Sequence, residues 1–247
     1  MDKEKIRALE NASRSAWRAL EEIPVGGWVA RFANGYTKRA NSVNAFADAD
    51  ADIDANIATC EKLYAARNLP AIFRLTPLAP PSLDRALASR GYAKIEPSLT
   101  MNLDLRDWQS TASHIRELEL DAWLAAFCAL AQSPIAKHQA HREILRTITT
   151  PKFFAMIYKS EQPVACGLSV LTDAHLGLFD IVTDAHYRNQ GYGFQLVAGL
   201  LHRAREHHAT NAYLQVTQSN APARHLYEKI GFQNAYEYWY RVTENKA

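Results

Sequence analysis

The sequence predicts an α/β fold (α+β, with a mixed sheet) made of two lobes. In the second half, three strand-like runs separated by turn-rich pieces predict an antiparallel meander: residues 153–159, 164–171 and 176–182. Helix and strand patterns then alternate to the end of the sequence, which predicts at least one parallel crossover. The first half closes on a helix, Gly91, Tyr92 and a strand, and the second on a helix, Gly231, Phe232 and a strand. This repeated order of elements predicts that the first lobe has the same fold as the second.

The composition is that of a globular protein and excludes several other classes. Of the 247 residues, 48% are hydrophobic and 22% are charged, unlike disordered, collagen-like or coiled-coil chains. Lys and Arg number 28 against 26 for Asp and Glu, and a net charge of +2 is too small to attract a polyanion by bulk charge. We therefore expect no nucleic-acid partner.

The cysteines and the first residues predict a reducing compartment. Cys60, Cys128 and Cys166 lie far apart without CxxC spacing, so neither a disulfide framework nor a zinc knuckle is expected. The charged first residues lack the apolar core of a signal peptide, and no segment has the roughly 18 apolar residues of a membrane span. We expect a soluble, cytoplasmic protein with no metal and no membrane contact.

The first half alternates helical and strand periodicities. Apolar residues from Ile6 to Leu20 follow one helical stripe that Pro24 ends, and Asn34-Gly35 is a tight-turn dipeptide typical of a hairpin. The predicted order is helix, hairpin, helix, strand, helix and two strands: residues 3–21, 28–32 with 36–43, 52–68, 71–75, 82–90, 92–96 and 98–105.

A polar stretch without periodicity at residues 106–113 predicts the domain boundary, between residues 1–110 and residues 111–247. In the second domain Pro222 fits the first turn of a helix and Gly231 its C-terminal stop. The predicted elements beside the meander are helices at residues 118–131, 137–148, 191–207 and 222–230, and strands at residues 212–216 and 233–242.

The stretch from Asp180 to Leu196 has the pattern of an anion site. An apolar strand ends in a short loop and a helix begins, so unpaired amides and the helix dipole would favour a phosphate there. Gly191 and Gly193 remove the side chains that would hold a phosphate away, and Arg188 adds a positive charge. Neither a P-loop nor a Rossmann fingerprint fits the spacing. By itself this Arg-x-x-Gly-x-Gly pattern fits an ordinary surface turn equally well.

The next helix carries a second signal. Asn220 and Tyr227 lie seven residues apart, close to two helical turns, so they project toward the same side. Taken singly, Asn220 is equally well a helix cap and Tyr227 a core aromatic. Together with the glycine loop before them, they favour a binding site.

Residues 118–242 resemble the GNAT superfamily of acyl-CoA-dependent N-acetyltransferases, through the glycine loop and residues 220–232 in order and separation. The resemblance implies a GNAT fold, with two tandem GNAT-like lobes, that uses acetyl-CoA (CoA). Its pyrophosphate would lie on Arg188, Asn189, Gln190, Gly191, Tyr192 and Gly193. Its pantetheine would run along the backbone of Ile181, Val182 and Thr183, between splayed parallel strands, and touch Asn220. Tyr227 would protonate the departing thiolate.

The resemblance implies an enzyme that transfers the acetyl group to a primary amine by direct attack in a ternary complex. The amine must lose a proton first, and Asp180, inside an apolar strand, is the candidate base or substrate anchor. An outward-facing Asp180 paired with a surface cation is the alternative. Two other functions stay open: a non-catalytic acyl-CoA-binding or interaction module, and transfer of a longer acyl group.

The first half lacks the glycine loop, so we expect a degenerate GNAT-like companion domain that covers the acceptor cleft. Its hairpin presents Arg39 and Asn41, which could contact an acceptor or lie in a solvated turn. His138 and His141 form HxxH on a helix, but without a third ligand they are expected to face solvent. The acceptor is a small-molecule or peptide amine, and the protein is a monomer or homodimer.

Overall fold

Eleven strands form one mixed sheet in the computed structural model, which describes residues 1–46, 52–110 and 113–243. The first half supplies α1 (Lys3–Ala16), β1 (Glu21–Val25), β2 (Trp28–Phe32), β3 (Val43–Ala45), α2 (Ile53–Ala65), β4 (Ile72–Leu75), α3 (Pro81–Ser89) and β5 (Tyr92–Asp104).

The second half supplies β6 (Arg116–Glu117), α4 (Leu120–Leu130), a 3-10 turn (Ile135–His138), α5 (Gln139–Thr147), β7 (Lys152–Lys159), β8 (Gln162–Thr172) and β9 (His175–Thr183). A second 3-10 turn (Ala185–Tyr187), α6 (Tyr192–Glu206), β10 (Asn211–Thr217), α7 (Ala221–Ile230) and β11 (Gln233–Thr243) follow. The order across the sheet is β1-β2-β3-β4-β11-β5-β10-β9-β8-β7-β6. The predicted mixed α/β fold is confirmed.

The two halves exchange their last strands. β11 pairs antiparallel with β4 of the first half, and β5 pairs antiparallel with β10 of the second half. β5 and β11 also pair with each other at the centre of the sheet. The boundary near residue 110 therefore divides the sequence but not the sheet. The assignment of residues 1–110 as a companion domain and residues 111–247 as a catalytic domain remains a prediction.

The predicted hairpin at Asn34-Gly35 is wrong. The tight turn lies at Gly26 and Gly27, both with positive φ, between the paired strands β1 and β2. The first helix ends earlier than predicted, at Ala16, and β1 follows at the sheet edge, where the missing N–H of Pro24 is tolerated. Residues 33–42 form a loop of turns, and only β3 returns along β2. The two strands predicted at residues 92–105 are one strand, β5.

The second half follows the prediction closely. β7, β8 and β9 form the antiparallel meander, and β9 and β10 pair in parallel. α6 and α7 pack on one face of this part of the sheet, while α4, α5 and α1 pack on the opposite face. Helix α1 of the first half crosses β8 and β9, so both halves line the face beside α4 and α5.

The three cysteines are buried and free, as small hydrophobic residues would be. Among the described residues, no helix is both long and apolar enough to cross a membrane. Within the same residues, no group of three or more His, Cys, Asp or Glu side chains is placed to hold a metal ion.

Candidate active site

The parallel ladder between β9 and β10 stops halfway along both strands. It runs from the pair Asn211 and His175 to the pair Leu214 and Leu178, although β9 continues to Thr183 and β10 to Thr217. The opposite edge of β9 stays paired with β8 as far as Thr183. Beyond Leu178, the β10-facing edge of β9 therefore offers backbone groups to an extended ligand, in the opening that the resemblance implied.

A β-bulge in β9 begins where this ladder stops. The register between β8 and β9 shifts between Cys166 and Leu168, and Asp180 has a left-handed φ of 51°. Gly167 faces the bulge, and a Cβ there would lie 2.5 Å from Ile181 Cδ1. In a regular strand, the consecutive residues Phe179 and Asp180 would lie on opposite faces of the sheet. The bulge instead places both against the same group of helices.

Asp180 ends a chain of buried hydrogen bonds. Its Oδ2 lies 3.0 Å from His141 Nε2, His141 Nδ1 lies 3.3 Å from His138 Nδ1, and His138 Nε2 lies 2.8 Å from Ser133 Oγ. A carboxylate can only accept, so we assign the donor nitrogen of His141 as Nε2. His138 Nδ1–H then donates to His141, and the Ser133 hydroxyl donates to His138.

Aromatic rings enclose this chain. The His141 side chain is fully buried, and the Asp180 side chain is 19% exposed. The rings of four residues surround His141, with centroids 4.9 to 6.3 Å away: Tyr36, Phe127, Trp17 and Trp123. Burial lowers the pKa of His138, and neighbouring His141 lowers it further against the opposing charge of Asp180.

The expectation that both histidines face solvent is wrong. Their i, i+3 spacing does put them on one face, but that face also carries Ile144 and Leu145 and packs inward. The prediction missed His141 as the partner of Asp180, although its position on this apolar stripe was a usable signal. The alternative of a surface cation for Asp180 is also excluded, because its partner is this buried imidazole.

The loop at residues 33–42 brings the first half to the site. Asn41 holds it from inside, accepting from the amides of Ala33 (2.7 Å) and Gly35 (3.0 Å) and donating to the carbonyls of Tyr36 (2.7 Å) and Thr37 (3.0 Å). Asn41 is therefore buried and presents nothing to an acceptor, contrary to the expectation. Tyr36 stacks on His141 at 4.9 Å.

The start of α6 has the geometry of an anion site. Gly191 caps the helix with a left-handed φ of 86°, and an added Cβ would meet only open space and Gln195 Nε2 at 3.9 Å. At Gly193, an added Cβ would lie 3.2 Å from Leu226 Cδ2 and 3.4 Å from Thr183 Oγ1. The glycines thus let the first turn approach both the end of β9 and any phosphate.

The other predicted loop residues surround this turn. Arg188 is exposed and its Nε donates to the Thr183 carbonyl at 3.4 Å, and Asn189 has a left-handed φ of 58°. Gln190 Nε2 donates to the His186 carbonyl at 3.0 Å. The structure brings these residues together around one helix start, next to the open edge of β9.

Asn220 and Tyr227 occupy opposite ends of α7. Asn220 is exposed, and its Oδ1 caps the helix by accepting from the Ala223 amide at 3.2 Å. Tyr227 is buried in the core that α6 and α7 share, and burial raises its pKa to about 12. Its hydroxyl makes no hydrogen bond within the described residues, so a protonated phenol remains available to donate.

This geometry agrees with comparisons against known proteins. Residues 4–241 match the family described as "Probable histone acetyltransferase Rv0428c C-terminal". The chain belongs to this family. It is also similar to the "Uncharacterized N-acetyltransferase YobR" of Bacillus subtilis (strain 168), with 30% identity over 96% of this chain and 98% of that protein.

Solved structures share the fold. A GCN5-related N-acetyltransferase from Kribbella flavida matches with a TM-score of 0.73 and 16% identity, over 96% of this chain and 95% of that chain. A tandem GNAT protein from the clavulanic acid biosynthesis pathway matches with a TM-score of 0.59 and 12% identity, over 78% and 70%. The chain therefore belongs to an acetyltransferase family and shares the fold of GNAT N-acetyltransferases. The family implies an acyl-CoA, which the open edge of β9 and the glycine turn fit.

Proposed function

We propose that this chain transfers the acetyl group of acetyl-CoA to a primary amine within a ternary complex. The observation that carries the proposal is the position of Asp180. The β9–β10 ladder ends immediately before Phe179 and Asp180, so an extended ligand on β9 would lie beside a partly buried, hydrogen-bonded carboxylate.

The binding residues are those around the open edge of β9. The amides at the start of α6, with Arg188, would hold the pyrophosphate, helped by Asn189, Gln190 and the two glycines. The backbone of Ile181, Val182 and Thr183 would pair with the pantetheine as a neighbouring strand does. Asn220 Oδ1 caps α7, and its exposed Nδ2, which bonds to none of the described residues, would donate to the same ligand.

Asp180 is the proposed proton acceptor. An amine with a pKa near 10 is mostly protonated at pH 7 and must lose a proton before it attacks, a step worth about 10² to 10⁴ in rate. The carboxylate takes this proton, and His141, which donates to Oδ2, orients it and can share the proton within the buried pair. Burial of His141 among aromatic rings keeps water away from the imidazole.

Tyr227 is the proposed proton donor. Acetyl-CoA supplies a thioester, whose carbon–sulfur bond breaks as the amine nitrogen bonds to the carbonyl carbon. Amides near Val182 would stabilise the negative charge on the carbonyl oxygen. The Tyr227 phenol, with a pKa raised to about 12, is protonated at neutral pH and gives its proton to the leaving thiolate. The second proton that the nitrogen loses as the amide forms then restores the phenol.

The acceptor is a small-molecule or peptide amine. The family description names histone acetyltransferase, and a histone lysine is one such primary amine. A non-catalytic acyl-CoA-binding module would have no use for a carboxylate and an imidazole paired at the cofactor edge, so the structure favours catalysis. A monomer or homodimer, located in the cytoplasm, remains our expectation.

Thiol release from acetyl-CoA with a panel of primary amines tests the proposal. We expect Asp180→Asn to lower kcat at least about 100-fold and Tyr227→Phe about tenfold, with CoA affinity unchanged in both. Asp121→Asn, which alters an exposed carboxylate on α4 paired with Arg142, is the matched control and should keep full activity. Full activity of Asp180→Asn would refute the role of Asp180.

A further inference from the structure

Among the residues that the structure describes, Arg39 has no anionic partner. Within the described residues its side chain makes no hydrogen bond and no ion pair, and its Nε is buried without a partner. Two nearby cations are paired: Arg31 with Glu22 at 2.9 Å and Lys38 with Glu96 at 2.7 Å. A guanidinium held this way is ready to bind an anion that is not part of the protein.

The loop at residues 33–42 places Arg39 next to the proposed proton acceptor. Its guanidinium carbon lies 5.4 Å from the ring centroid of Phe179, the residue before Asp180, and 5.7 Å from that of Trp17. Trp17 in turn packs against His141, with ring centroids 5.6 Å apart. Tyr36, three residues before Arg39, stacks on the same imidazole.

The guanidinium lies within cation–π distance of both rings, which hold it beside Phe179. Arginine suits this task because its planar fork matches both oxygens of a carboxylate, while cation–π contacts hold its face. The buried Asn41 anchors the loop that carries it, so the fork is held in place before any ligand arrives.

We propose that Arg39 binds a carboxylate of the acceptor, so that the acceptor is a small amine that also carries a carboxylate, such as an amino acid. This proposal rests on the proposed acetyl transfer. The two charges of such an acceptor match the two charges of the cleft: its ammonium faces Asp180 and its carboxylate faces Arg39. A lysine-rich peptide would instead bring positive charge toward Arg39.

Matched acceptor pairs test this assignment: L-alanine, β-alanine and L-lysine, each against its carboxamide, with thiol release from acetyl-CoA as the readout. The quantity compared is the kcat/KM ratio of acid to amide, in the native protein and in Arg39→Gln. Differences in amine pKa within a pair cancel in that comparison. We expect the native protein to prefer at least one acid, and Arg39→Gln to lower that preference about tenfold to 100-fold, mainly through the KM of the acid.

Lys38→Gln is the matched control. It removes a positive charge from the same loop, but this charge is already paired with Glu96. It should leave the preference unchanged. Equal losses for acid and amide in Arg39→Gln would overturn the proposal, as would a preference for a lysine-rich histone-tail peptide that survives this substitution. Absence of any amine-dependent release of thiol would instead refute the proposed function. Calorimetry of the same acids and amides in the presence of CoA would then decide whether Arg39 still binds the carboxylate.

Discussion

At the residue scale, His138 shows how burial and neighbours set protonation near the site. It is nearly buried, it lies between Ser133 and His141, and its pKa is lowered by burial and by His141. In the hydrogen-bonded chain that leads to Asp180, His138 Nε2 accepts from Ser133 and Nδ1–H donates to His141. Only a neutral imidazole has one nitrogen that accepts and one that donates, so His138 must be neutral.

This gives a pH prediction for stability. The pKa of His138 in the folded protein lies below its ordinary value of 6.5, so as the pH falls the unfolded chain takes up the proton first. The contribution of His138 to stability is therefore complete above pH 6.5 and is lost as the pH falls below it. We expect His138→Gln to lose less stability than the native protein between pH 7 and pH 5, measured by urea unfolding at each pH. Parallel losses in the two proteins would contradict this.

At the element scale, the loop at residues 33–42 depends on one buried side chain. Asn41 makes four hydrogen bonds to the backbone of this loop, and the loop in turn places Tyr36 and Arg39 at the site. Its shape comes from a side chain inside the turn, a feature that backbone periodicity does not reveal.

Asn41→Ala should therefore destabilise the protein by about 2 kcal/mol or more, because it leaves buried amides and carbonyls without partners. Denaturant unfolding measures the change, with Lys38→Gln on the same loop as the reference, expected within about 0.5 kcal/mol of the native value. A loss below about 0.5 kcal/mol for Asn41→Ala would mean that the loop is held by other contacts.

Some of the secondary-structure elements follow from the sequence, and others do not. The meander, α6, β10, α7 and β11 follow from periodicity, proline and glycine, and the glycine turn follows from its spacing. The hairpin prediction fails because Asn34-Gly35 has the stronger turn pattern, whereas the turn itself lies at Gly26-Gly27. The apolar stripe of α5 indicates that His141 is buried, but its pairing with Asp180, and the approach of Tyr36, depend on a bulge and on packing between distant segments.

At the scale of the whole molecule, the two halves share a sheet and a buried polar network. Glu10 of α1 forms an ion pair with Arg74 of β4, in which Arg74 Nη2 donates to Glu10 Oε1 at 2.9 Å. The same oxygen accepts from the Tyr236 hydroxyl of β11 at 2.5 Å. Burial lowers the pKa of Arg74, but the charge and hydrogen bonds of Glu10 outweigh this and raise it above its ordinary value. The ion pair thus lies within the first half, and Tyr236 of the second half adds a hydrogen bond to its buried carboxylate.

Because each half supplies a strand to the other, neither should fold alone. Residues 111–247 without β5 would leave the edge of β10 unpaired and separate β11 from both of its neighbours. We expect each half, expressed separately, to show no cooperative thermal unfolding by circular dichroism, and the two coexpressed halves to form a complex that unfolds cooperatively. A cooperative transition in residues 111–247 alone would show that the second half is an independent domain.

The most direct test of the proposed coenzyme site is a calorimetric titration with CoA. Gly191 at the start of α6 and Gly91 after α3 have nearly the same left-handed φ, 86° and 82°, so Gly191→Glu and Gly91→Glu impose similar backbone strain. We expect the native protein and Gly91→Glu to bind CoA equally, and Gly191→Glu to bind at least about tenfold more weakly, since its carboxylate would face the pyrophosphate. Unchanged binding by Gly191→Glu, or no CoA uptake by the native protein at millimolar concentration, would contradict it.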